Sequence, residues 1–215
     1  MMYWMLSLAF AQSNLATIPV CQVNMEACEE VYTAEPRPTR NPTLYRFADP
    51  ILSESQWVPV HIARLTDEQT SERTQFALIS LLTKHDLSEF GAQLQPLVHS
   101  QSAELRAEMV SLLPRLDSHT QESWLTTLSS DDDWLVREQT FRIVARHYVS
   151  LSNTEHTTHL LWQGLSDTSS NVRLQAVKGL GWNDIDTPIS TLTPLLTDAD
   201  AMVRLHTLRT LERLH

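Results

Sequence analysis

The sequence predicts an all-α chain, an α-solenoid of about five helix–turn–helix repeats, and three observations predict it. One phrase is written three times: "DDDWLVREQTF" at 131–141, "DTSSNVRLQAV" at 167–177 and "DADAMVRLHTL" at 198–208. In each, an Asp precedes by six residues an Arg that follows a valine. Apolar residues then recur after the Arg at the offsets of one helix face. Finally, only 4 glycines and 10 prolines stand in 215 residues, too few for a turn-rich β-sandwich.

The first segment, residues 1–11, is apolar and ends in "AFA" before Gln12. It reads as a secretory signal peptide cut after Ala11, although it lacks a basic start and is short. The same run also fits a buried apolar arm, and it is too short to cross a bilayer, which takes about 20 apolar residues. Cys21 and Cys28 follow, the only cysteines of the chain. An even count in an exported chain suggests a disulfide, which requires "CQVNMEAC" to bend, because seven residues of straight helix rise about 10 Å. Their spacing does not match a zinc ligand pair, and no second pair completes a site. A lipid-anchored Cys21 would need small residues before it, and "TIPVC" lacks them. Residues 12–54 form a proline-rich extension, with four prolines in "EPRPTRNPTLYRFADP".

The repeat region covers 55–215. Aligned on the phrase's arginine, the copies centre on Arg73, Arg106, Arg137, Arg173 and Arg204, spaced by 33, 31, 36 and 31 residues. Six residues before them stand Asp67, Ser100, Asp131, Asp167 and Asp198. Four after them come Ala77, Val110, Phe141, Val177 and Leu208; seven after come Ser80, Leu113, Val144, Leu180 and Leu211. Each Asp lies in a short polar bridge where it or a neighbour can cap the next helix. A shorter amphipathic segment precedes each bridge, from "SQWVPVHIARL" in the first copy to "TPISTLTPLL" in the last. A helix, a turn and a helix at a period in the low thirties is the pattern of an α-solenoid.

These residues resemble the HEAT repeat: a first helix often containing proline (Pro59, Pro96, Pro194), a turn Asp, then Val-Arg-x-x-Ala, nearly ideal in "VRLQA" at 172–176. The chain departs from the pattern at Ser100, Glu72, Thr140 and Thr207. The resemblance implies a right-handed α-solenoid of about five HEAT-like repeats, the first of them a repeat or a cap. It also implies that Asp131, Asp167, Asp198, Arg137, Arg173 and Arg204 form a structural ladder within and between repeats, not a catalytic set. Enzymes of similar repeats, bilin lyases and alkylation-repair glycosylases, fit poorly. The former act on cytoplasmic proteins, and the latter need a basic DNA groove.

The formal net charge of −10 disfavours nucleic acid and anionic membranes as partners, because phosphate neutralisation needs clustered cations. No phosphate-cradling loop is present and no cysteine lies in the repeats. His156 and His159, beside Glu155, share a helix face, but a polar helix start accounts for them and no third ligand stands at metal spacing. No catalytic residue, metal or cofactor is therefore expected.

One feature exceeds structural need. Offsets five and nine from the arginines fall opposite the apolar face and read Leu78, Ser111, Arg142, Lys178, Arg209, and Leu82, Arg115, Arg146, Trp182, Arg213. Six of the 16 basic residues thus share one stripe of an acidic protein. In proteins of similar repeats the second helices line a concave groove. The expected function is a non-enzymatic scaffold, periplasmic or secreted, that binds an acidic protein segment there through Arg115, Arg142, Arg146, Lys178, Trp182, Arg209 and Arg213. The alternative is a structural subunit of an envelope assembly, stacking through the last repeat.

Overall fold

The computed structural model describes residues 54–151 and 153–214, with side chains from Val58 onward. They form an all-α, helix–turn–helix repeat solenoid of roughly five tandem units. Residues 1–53, which hold the segment 1–11, Cys21, Cys28 and all but the last residue of the extension 12–54, lie outside the described residues. Two expectations are corrected at this point. No disulfide is found among the described residues, and the Cys21–Cys28 bridge, which lies outside them, is not carried forward. The signal-peptide reading rests on residues 1–11, outside the described residues; no described feature supports it or the periplasmic or secreted location drawn from it, and neither is carried forward.

The described residues divide into two compact units, one ending at His85 and one beginning at Asp86. In the first, α1 (Glu54–Leu65) packs on α2 (Glu72–Leu82). Val58, Ile62 and Leu65 of α1, with Leu78, Ile79 and Leu82 of α2, are at most 3% exposed. Ser71 caps α2 by accepting from the Thr74 amide.

The second unit holds four repeats. The first pairs α3 (Gly91–Leu94) and its 3-10 continuation Gln95–His99 with α4 (Ala103–Met109) and the 3-10 turn Val110–Arg115. The second pairs α5 (Ser118–Ser129) with α6 (Trp134–His147), and the third α7 (Thr154–Gly164) with α8 (Ser170–Trp182). The last pairs α9 (Ile189–Leu192) and the 3-10 segment Thr193–Thr197 with α10 (Ala201–Leu214). Pro96 and Pro194 explain the two broken first helices. Each sits at the start of the 3-10 segment, where a missing N–H and a fixed φ stop regular α-helix.

Second helices stack directly on one another, α6 on α8 and α8 on α10. The glycines enable close approach rather than turns: none has positive φ. A Cβ on Gly164 would strike the ring of Phe141, and one on Gly179 would lie 2.6 Å from Leu161 Cδ2. Thr140 and Thr207, where the repeat pattern favours alanine, are fully buried. Each hydroxyl donates to the carbonyl four residues back, Val136 and Val203, both at 2.8 Å, so neither is left unsatisfied.

Candidate functional site

The repeated Asp and Arg occupy the turns. Arg106, Arg137 and Arg173 each donate from Nη1 to the backbone carbonyl six residues upstream, Ser100, Asp131 and Asp167, at 2.7–2.8 Å. The other edge of each guanidinium grips the next repeat. Nε and Nη2 donate to both carboxylate oxygens of Asp131 (2.7 and 2.8 Å), Asp167 (2.8 and 3.0 Å) and Asp198 (2.7 and 2.8 Å). Each Asp also accepts from the amide two residues on, those of Asp133, Ser169 and Asp200. The six-residue spacing thus marks a main-chain bond, and the side-chain partner belongs to the next copy.

The capping role falls to neighbours of the turn Asp. Asp133 accepts from the Leu135 amide, and Asp200 from those of Met202 and Val203. For Asp131 and Asp167 burial is the largest single influence and raises the carboxyl pKa. The Arg106 or Arg137 bond, the amide of Asp133 or Ser169 and the nearby arginine charges together outweigh it and hold both below the usual value. Asp198 is lowered chiefly by the Arg173 bond. Sequence reading omitted Arg106 from this set because Ser100 breaks the phrase; only its partner Asp131 shows that it belongs.

The stripe residues separate. Leu78 and Leu82 are buried, so the stripe does not include α2. Arg115, Arg146 and Arg209 are exposed, Lys178 and Arg142 half-buried, and Trp182 is 48% exposed. Arg213 donates to both oxygens of Asp184, a residue with φ of 50° that turns the chain after α8. Arg142 bonds Gln139, which donates to Glu138; Glu138 also accepts from Gln175 at 2.8 Å. This amide–carboxylate network was missed in the sequence, because glutamines on a helix surface carry no signal by themselves.

Two pairs of cations each neighbour a histidine. His206 is pushed below its ordinary pKa by burial, then by Lys178 and Arg209. His147 is lowered likewise by burial, then by Arg115 and Arg146. Both imidazoles therefore sit in positive surroundings.

The run with Glu155, His156 and His159 lines an open cleft of about 720 Å³ with Glu122, Tyr148 and Trp162. His156 Nδ1 lies 3.8 Å from Glu122 Oε1. Among the described residues no three His, Cys, Asp or Glu side chains are grouped to hold a metal ion. No described helix is long and apolar enough to cross a membrane.

No family model matches the chain, and no curated protein matches it in sequence. Solved structures do resemble its fold. A designed armadillo repeat protein in complex with the peptide (KR)4 aligns with a TM-score of 0.58 at 14% identity, covering 95% of this chain and 98% of that one. An engineered protein aligns at 0.55 with 16% identity, covering 95% of both chains. Cex1p aligns at 0.56 with 19% identity over 74% of this chain, which spans only 36% of Cex1p. Identities this low establish the fold alone: the chain has an armadillo/HEAT-like α-solenoid fold.

Proposed function

We propose that this protein is a scaffold whose second-helix face holds an acidic protein segment. The observation that carries the reading is the pair of cationic groups on successive repeats, Arg115 with Arg146 and Lys178 with Arg209, each of which adds to burial in lowering the histidine beside it. Glu138, Gln139 and Gln175 between them supply acceptors and donors that an extended backbone can use. Trp182, half in solvent, adds apolar area. The similar designed armadillo protein is in complex with the basic peptide (KR)4. Here the cations lie on the protein, so the complementary segment is acidic.

Repeat solenoids suit this task because each repeat adds surface without changing the core of its neighbours. Exposed cations give rate and specificity more than raw affinity, so binding should weaken steeply with salt. The test is titration of a labelled oligo-glutamate peptide into the protein and into the triple variant Arg142→Ser, Lys178→Ser, Arg209→Ser. The reading requires saturable, salt-sensitive binding that the triple variant loses. Equal capture by both proteins would overturn it.

A further inference from the structure

We propose that the last repeat takes the first repeat of a second copy of this chain, so that copies join head to tail through Arg204 and Asp67. Arg106, Arg137 and Arg173 each have two edges in use, one on their own turn and one on the following aspartate. Arg204 uses the first edge in the same way, donating from Nη1 to the carbonyls of Asp198 at 2.7 Å and Ala199 at 3.0 Å. Its Nε and Nη2 meet no carboxylate among the described residues. That fork has the geometry that holds a turn aspartate in three other places.

The apolar surface beside it also has the character of a joint. Leu208 stands four residues after its arginine, where Val110, Phe141 and Val177 stand after theirs. Those three are at most 3% exposed, and Leu208 is 48% exposed. Leu205 and Met202, one and two turns earlier on the same helix face, are 39% and 47% exposed.

The chain carries the matching half. Asp67 Oδ1 accepts from the Gln69 amide at 2.9 Å, the same turn that Asp131, Asp167 and Asp198 make at 2.9, 2.7 and 2.8 Å. Asp67 meets no arginine among the described residues. Seven residues before it stands Val60, in the register of Trp124 before Asp131 and Leu160 before Asp167. Trp124 reaches back to Gln95 of the preceding repeat at 2.7 Å. Trp124 and Leu160 are at most 5% exposed, whereas Val60 is 44% exposed. Charge, turn geometry and exposed apolar residues therefore correspond on two different faces. Such a contact is heterologous, and repeats either as an open chain or as a ring. It shares no residue with the acidic-segment reading and stands without it.

Sedimentation or light scattering of the full chain, from low micromolar to submillimolar concentration, tests the proposal. The expected result is a rising series of masses rather than a single dimer. Arg204→Glu alone and Asp67→Arg alone should each weaken association about tenfold or more, the scale of a lost two-bond ion pair. An equimolar mixture of the two single variants should regain it, because the reversed end of one matches the reversed end of the other. Leu208→Glu should weaken association in every background. Far-UV circular dichroism checks that each variant keeps its helices. A wild-type monomer at all concentrations overturns the proposal, as does association that survives both reversals or a mixture that fails to recover. Sensitivity to Arg204 and Leu208 without Asp67 would mean that a different occupant covers this face, and it overturns the proposal as well.

Discussion

Arg137 holds Asp167 through two parallel N–H···O bonds of 2.8 and 3.0 Å, although 30 positions separate them in sequence. The pair is only 13% and 12% exposed at its side chains, so it is shielded from the solvent that makes surface ion pairs weak. Asp167→Ala strands the guanidinium and removes the acceptor for the Ser169 amide. We expect a loss of about 2–4 kcal/mol, read from the urea midpoint. The double variant Arg137→Met, Asp167→Ala should lose less than the sum of the two single changes.

The same pairs set the response to acid. Asp131, Asp167 and Asp198 all have folded pKa values below the ordinary carboxylate value of about 4, so their contribution is complete above that value. As pH falls through the folded values the carboxylates protonate, and the contribution is lost. Urea unfolding across pH 7 to 2.5 should show stability falling below pH about 4, and less steeply in Asp167→Ala.

His61 responds in a different window. Burial, then the charges of Arg64 and His85, lower it to about 4. Above pH about 6.5 it is neutral whether folded or unfolded and contributes nothing. Between about 6.5 and 4 the unfolded chain takes up the proton first, so stability declines, by about 3 kcal/mol at most. NMR titration should place the His61 midpoint near 4, and His61→Gln should flatten the decline.

Gly164→Ala should destabilise, although alanine is ordinarily the better helix former by about 1 kcal/mol. The new methyl would meet the Phe141 ring, which is buried at 3% exposure. We expect a net cost of about 1–3 kcal/mol in thermal or urea unfolding, recovered in part by Phe141→Leu.

Removing charge beside His206 should raise its pKa. Lys178→Ser with Arg209→Ser deletes both cations that lower it and leaves only burial. An upward shift in the NMR titration would report the positive surroundings directly, and an unchanged midpoint would remove them as a binding argument.

The sequence by itself determined the helical class, the number of repeats and the turn at which each Asp and Arg stands. Those follow from local rules: apolar residues at helical offsets bury one face, and a short polar bridge with its Asp separates the two helices of a repeat. Tertiary structure alone decided which aspartate each arginine holds. The bond crosses to the next repeat at 25 residues from Arg106 and Arg173 but 30 from Arg137, so no fixed spacing reveals it. It likewise decided which stripe residues face solvent. Leu78 and Leu82 share the stripe's register yet are buried, and Arg213 is taken by Asp184. A position's register fixes its direction from the helix axis, whereas what it meets there depends on the neighbouring helix.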